Sequence, residues 1–239
     1  SLVSAPLSRC KSLEMNIEEN TKSFLKEINQ FCFRSGRNPK NIIVVGASKK
    51  QGVGSIKSAL IAGVNNFGEN FLQESEPKIM ELDSGLSWHF IGSIQSRKAK
   101  KISSLFQWVQ TVDRLKVAKI LNDNRPIECG KLNICVQVNP ERELNKSGIG
   151  LEECESFIAE LNKMEMLKVR GLMVIPKVTE DFEQQRGGFA KIRSCFNFLR
   201  TIYPDLDTLS MGMSGDYKAA ILEGTTMIRI GTNIFGERK

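Results

Sequence analysis

Apolar positions along this chain first recur at helical spacing and then, past residue 40, gather in short β-rich runs. Over residues 17–33, Ile17, Phe24, Leu25, Ile28 and Phe31 stand roughly one helical turn or two apart among Glu and Lys, which predicts an amphipathic helix. Gly36, Asn38 and Pro39 then stop it. Eight compact apolar runs follow, at 42–47, 66–69, 88–92, 108–112, 133–139, 169–174, 208–211 and 227–231, and each reads as a strand. Helical stretches at 54–62, 115–121, 151–164, 189–202 and 217–222 lie between them. Strict alternation of the two calls for a parallel sheet with helical crossovers, and eight such units suit a closed barrel better than an open sheet. The expected fold is therefore α/β, a single (β/α)8 TIM-type barrel with an extra N-terminal helix. A doubly wound sheet is the alternative, but Ser48-Lys49-Lys50-Gln51-Gly52-Val53-Gly54 after the first strand is not the glycine-rich turn that fold uses, and no Walker A sequence occurs.

Composition narrows this further. The 239 residues, 41% hydrophobic and 26% charged, suit one domain able to bury a sizeable core. We assign residues 15–239 to the barrel and expect 1–14 to be a flexible leader or cloning remnant, because no sustained apolar stretch marks a secretory signal. The formal charge of +7 comes from 34 Lys and Arg scattered among 27 acids. Its densest cluster, Arg97-Lys98-Ala99-Lys100-Lys101, reads as a solvated helix face, so nucleic acid is not an expected partner. No apolar run is long enough to span a membrane. The six cysteines form no C-x-x-C pair and there is one histidine, so no metal site is expected and buried free thiols are the simpler reading.

Chemistry in such barrels sits at the C-terminal ends of the strands. The first strand ends in Ser48-Lys49-Lys50. Side chains alternate along a strand, so Lys49 shares a face with Val45 and Ala47, Lys50 shares the other with Val44, and only one lysine enters the mouth. Desolvation there favours the neutral amine that attacks aldehydes, whereas a solvated loop would leave both lysines inert. His89, in an apolar run, reads as a packed core residue. The loops after strands seven and eight, Met211-Gly212-Met213-Ser214-Gly215 and Gly231-Thr232-Asn233, are small and hydroxyl-bearing, as a phosphate cradle requires. Ser214 also reads as the N-cap of the helix that follows, with Asp216 facing away from any anion. Arg229 lies in an apolar strand and needs a partner, for which an internal salt bridge or a ligand ring nitrogen would serve.

Taken together the segments resemble the pyridoxal phosphate homeostasis protein family, a barrel related to the N-terminal domain of alanine racemase. The matching stretches are Ala47-Ser48-Lys49, Phe67-Gly68-Glu69-Asn70 with Gln73-Glu74, Trp88-His89-Phe90-Ile91-Gly92 with Gln95-Ser96 and Lys98, and Lys146-Ser147-Gly148. They continue through Gly171-Leu172-Met173, Leu209-Ser210-Met211-Gly212-Met213-Ser214, and the run from Glu223 to Thr232 with Ile234-Phe235-Gly236. The resemblance implies pyridoxal 5′-phosphate (PLP) held as a Schiff base on Lys49, the phosphate on Ser214, Gly231 and Thr232, Arg229 at the pyridine nitrogen, and Asn70 and Met211 lining the pocket. Two departures fall at the rim: Ser93 stands where the family commonly has His, and Lys50-Gln51-Gly52 replaces a Thr-Lys-Pro-like sequence.

An arginine at the ring nitrogen opposes its protonation and weakens the electron sink that PLP chemistry uses. The sequence also stops just past the last barrel motif, which leads us to expect no second, β-rich domain of the racemase kind. The resulting expectation is a PLP-binding protein of intracellular vitamin B6 homeostasis without strong catalytic turnover, exchanging PLP with amino acids or PLP-requiring apo-enzymes. It would be a monomer in the cytoplasm, or in an organelle if the first residues are a trimmed leader. A low-activity PLP-dependent, racemase-like enzyme is the alternative.

Overall fold

The computed structural model describes residues 7–82 and 85–237, with side chains from residue 16 onward. Strands β1 (Ile43–Ala47), β2 (Asn66–Glu69), β3 (Ser87–Phe90), β4 (Trp108–Val112), β5 (Leu132–Val138), β6 (Leu167–Val174), β7 (Thr208–Ser210) and β8 (Met227–Ile230) pair in chain order, all parallel. Pairing of β1 with β8, which sets Val45 opposite Arg229, closes the barrel. Every strand lies within two residues of its predicted bounds.

Alternation along each strand divides the core in two. Val45, Trp108, Cys135, Met173 and Met227 point inward and form a small cluster of their own. Their neighbours Val44, Val109, Ile134, Leu172 and Ile228 point outward into a large cluster shared with the helices. The helical layer consists of α2 (Val53–Ile61), α3 (Leu72–Glu81), α4 (Ser96–Leu105), α5 (Leu115–Asp123), α6 (Cys154–Leu161), α7 (Phe182–Ile202), α8 (Tyr217–Leu222) and the short α9 (Thr232–Phe235). Burial of each large aliphatic side chain at this interface contributes about 1.5–3 kcal/mol.

The N-terminal helix α1 (Leu7–Arg34) begins earlier than the apolar spacing predicted. Residues 1–6 of the expected 1–14 leader lie outside the described residues, and the rest of that segment continues α1. Phe24 of α1 packs edge-on against Tyr217 with ring centres 5.2 Å apart, and Glu27 accepts the Tyr217 hydroxyl at 2.8 Å. Just past the helix, Arg37 donates to the carbonyls of Ile221 and Thr225 at 2.5 and 2.8 Å. The extra helix is thereby fastened beside α8, behind the loops that follow β7 and β8.

Three expectations need correction. The helix predicted at 151–164 is a 3-10 turn, Leu151–Glu153, followed by the shorter α6. Helix α7 starts at Phe182, seven residues before its predicted start, because Asp181 caps it by accepting from the Gln184 amide at 2.8 Å. Cys129 is exposed at the end of a 3-10 turn, while Cys32, Cys135 and Cys154 are buried thiols; Cys10 lies outside the described side chains. Among the described residues no helix is long and apolar enough to cross a membrane.

Candidate functional site

All seven expected cofactor residues come from the ends of four consecutive strands, β7, β8, β1 and β2, and so face one side of the barrel mouth. Since Val45 belongs to the inner cluster, alternation carries Ala47 and then Lys49 to the inside. Lys49 is half-buried and Lys50 exposed. The reversal happens in a turn closed by the Gln51 amide on the Ser48 carbonyl at 2.9 Å, with Lys50 at a φ of +63°.

Behind this turn lies a buried ionic cluster that the sequence reading did not single out. Ser48 donates to Glu69 Oε1 at 2.5 Å. Lys78 of α3 reaches the Ser48 carbonyl at 3.0 Å, Glu69 at 3.0 Å and Glu74 at 2.9 Å. Glu74 in turn accepts the Lys50 amide. Burial pushes the Glu69 carboxyl up, against the lowering influence of Ser48 and Lys78. The cluster grips the backbone on both sides of Lys49. Its visible signal was the Glu74–Lys78 spacing on one helix face.

Arg229 is almost fully buried, and burial lowers its pKa to about 10, so it stays charged at neutral pH. Its direct partners are neutral: Ser210 Oγ accepts from Nη1 and the Val174 carbonyl from Nη2, both at 2.7 Å. No internal salt bridge to Arg229 forms among the described residues. Asp216 acts on it only through space, its Oδ1 being turned back to accept the Met213 amide at 2.6 Å.

The loop after β7 departs from its predicted capping role. Helix α8 starts at Tyr217 with Asp216 in the cap position, so Ser214 is not its N-cap. Ser214 Oγ is instead buried with no hydrogen-bond partner. Gly212 lets the loop cross α8: its φ is +104°, and a Cβ there would lie 2.7 Å from that of Ala220. Met211 is fully enclosed in the main apolar cluster, while Gly231 leads α9 and Thr232 is exposed at its start.

Asn70, just past β2, borders a cavity of about 230 Å³ together with Ser93, Thr111, Gln137 and Lys146. Its side-chain oxygen is likewise buried without a partner. Glu223 Oε2, which also lacks a hydrogen bond, faces Arg193 at 2.9 Å in an ion pair. Asn70 Oδ1 and Ser214 Oγ are thus the described side-chain atoms left wanting. Leaving a buried polar atom unmatched costs about 1–3 kcal/mol. A bound group that presents a donor to Asn70 and phosphate oxygens to Ser214 would match both atoms, and the cavity at Asn70 is lined by none of the other six expected residues. His89 lies below, in the barrel interior, as a packed residue.

Comparison with known proteins bears on the family and the fold. The family described as alanine racemase, N-terminal domain, matches residues 20–239. The pyridoxal phosphate homeostasis protein of Escherichia coli K12 is 40% identical over 227 residues, covering 93% of this chain and 97% of its own. The protein of that name from Pseudomonas aeruginosa is 42% identical over 223 residues, covering 93% and 96%. PipY of Synechococcus elongatus, solved with PLP bound, superposes with a TM-score of 0.78 at 32% identity over 92% of this chain and 100% of that one.

Proposed function

The chain belongs to the pyridoxal phosphate homeostasis protein family, and on that premise we propose that it binds PLP at the β7–β8–β1–β2 side of its barrel mouth and serves intracellular PLP homeostasis. The observation that carries the reading is the pair of unmatched buried atoms, Asn70 Oδ1 and Ser214 Oγ, on the loops after β2 and β7, at the same end of the barrel as the Lys49 turn. Lys49 would hold the cofactor as a Schiff base, and Ser214, Gly231 and Thr232 its phosphate. Arg229 would face the pyridine nitrogen, with Asn70 at the pocket wall. Met211, enclosed in the apolar core, would support the wall from behind.

Bound PLP supplies an aldehyde for amines and, when its ring nitrogen is protonated, an electron sink. A charged Arg229 disfavours a proton on any basic atom it faces, which supports holding over turnover. The Ser48–Glu69–Lys78–Glu74 cluster keeps the Lys49 turn in place, and Ser214 brings an uncommitted hydroxyl to an anion. Exchange with amino acids, delivery to PLP-requiring apo-enzymes, a cytoplasmic location and a monomeric state complete the reading.

The test is a visible spectrum after PLP incubation, then borohydride reduction and peptide mapping. A new absorbance band and a reduced adduct on Lys49, both lost in Lys49→Ala, are expected. An adduct on another lysine, or equal spectra for the two proteins, would sink the assignment.

A further inference from the structure

The interior of an eight-stranded barrel is ordinarily filled by layers of branched apolar side chains. Here a polar chain crosses it, made of one residue from each of five strands. Arg229 on β8 bonds Ser210 on β7 at 2.7 Å, and Ser210 bonds Gln110 Oε1 on β4 at 2.6 Å. Gln110 Nε2 lies 2.9 Å from His89 Nδ1 on β3, and His89 Nε2 lies 2.8 Å from Asn66 Oδ1 on β2.

The direction of every bond follows from two facts: a guanidinium has donors only, and the Gln110 amide turns its Oε1 to Ser210 and its Nε2 to His89. Ser210 Oγ must accept from Arg229, so its own proton goes to Gln110 Oε1. Gln110 is then fixed with its NH2 toward His89 and toward Met227 Sδ at 3.2 Å. His89 Nδ1 must accept, which puts the ring proton on Nε2, where it meets Asn66 Oδ1. The Asn66 amide is held in that sense because its Nδ2 donates to Asn65 Oδ1 at 2.9 Å. Trp108 stacks on the His89 ring at 5.2 Å, with the planes 15° apart, and closes its face. Every acceptor in the chain thus faces the arginine side and every donor faces away, an alignment that stabilises a buried positive charge at the Arg229 end.

We propose that Asn66, His89, Gln110 and Ser210 form a one-directional hydrogen-bond relay whose task is to position the Arg229 guanidinium for the ring nitrogen of PLP. The relay rests on the PLP reading given above, but its direction is a property of the protein alone. The four are positioning residues, acting through Arg229. Ser210 is the link that couples the chain to the arginine; without its hydroxyl, Gln110 Oε1 loses its donor and the His89 tautomer is held from the Asn66 end alone.

The chain contains one histidine, so nitrogen-15 NMR of histidine-labelled protein gives a single imidazole signature. In the protein without PLP at neutral pH we expect Nε2 protonated and Nδ1 bare. Ser210→Ala is expected to mix the two tautomers and to weaken PLP binding about tenfold or more, the loss of one bond to a charged group. It should also change the pH at which the absorbance of bound PLP shifts. Ser210→Thr, which keeps the hydroxyl, restores all three. A proton on Nδ1 in the unsubstituted protein, or an Ser210→Ala protein with unaltered tautomer, affinity and pH profile, would overturn the relay. Failure of the unsubstituted protein to take up PLP while its histidine keeps the expected tautomer would instead sink the PLP reading and leave only the relay's direction standing.

Discussion

At Gly92 the end of β3 passes hard against the end of β2. A Cβ at this position would lie 2.2 Å from the Asn70 carbonyl oxygen and 2.8 Å from the Asn70 Cα, backbone atoms with nowhere to go. We therefore expect Gly92→Ala to push Asn70 out of place, costing about 1–3 kcal/mol of stability as overpacked sites do and lowering PLP affinity as well. Urea unfolding and a PLP absorbance titration read the two effects; unchanged affinity would separate Asn70 from the pocket. Lys78 makes the opposite kind of case. Replacing it with Met strands the fully buried Glu69 carboxylate, a loss of about 3–5 kcal/mol for a broken buried pair. Burial already raises the Glu69 pKa above its ordinary 4.5, so the folded state favours the proton more than the unfolded chain does. A raised acid contributes stability below 4.5 and loses it as pH climbs through the folded value. The deficit of Lys78→Met at neutral pH is accordingly expected to shrink on acidification, and adding Glu69→Gln to recover part of it. A deficit that does not vary between pH 7.5 and pH 5 would contradict this.

Between elements, Arg170 of β6 laces the N-terminal rim, the end remote from the site. It makes a two-pronged ion pair with Asp207 at 2.8 and 2.7 Å, donates to Asn133 of β5 at 2.8 Å and lies 4.6 Å over the Trp108 ring of β4. Half of Asp207 remains exposed, so Arg170→Ala is expected to cost only about 1–2 kcal/mol. PLP affinity is expected to stay unchanged, since catalytic and binding residues of such barrels gather at the other end; a fall in affinity would show that the two rims are coupled. The contrast bears on what the amino-acid order discloses. Strands were legible because β-branched and aromatic runs such as 132–138 and 167–174 stand apart from their helical neighbours. The beginning of α7 was hidden by Gly187-Gly188, two poor helix formers whose cost the Asp181 cap and the buried Phe189 and Ile192 offset. Family pattern singled out the seven site residues, whereas residue type alone read Ser214 as a cap, because a hydroxyl at a helix start cannot tell a cap from an uncommitted donor. The relay was illegible for a different reason. Periodicity gives the face of each residue and not the register between strands, so nothing in the order of the chain sets Gln110 beside Ser210, a hundred residues on.

For the molecule as a whole, enclosing one imidazole has a consequence for acid stability. His89 is buried and its pKa is lowered by that burial from 6.5 to about 3, so the folded state holds it neutral where the unfolded chain would protonate it. A depressed base contributes stability above its unfolded pKa and loses it as pH falls toward the folded one. The window is therefore about 6.5 down to about 3. At pH 5 the loss relative to pH 7.5 amounts to about 2 kcal/mol, from 1.36 kcal/mol per pH unit below 6.5. Glu69 works in the contrary sense, gaining stability on acidification, so the unsubstituted protein alone reports only their sum. His89→Gln removes the imidazole and leaves Glu69 untouched, which isolates the histidine contribution in a difference between two proteins. At pH 7.5 the variant is expected to be the less stable, through lost stacking on Trp108 and a disturbed relay. At pH 5 the gap is expected to narrow by about 2 kcal/mol, because only the histidine protein then pays for keeping an imidazole unprotonated. Urea midpoints for both proteins at the two pH values measure it. A gap of constant size would mean that His89 titrates in the folded state much as it does in the unfolded one, and the ring would then carry a second proton that the relay has no acceptor to receive.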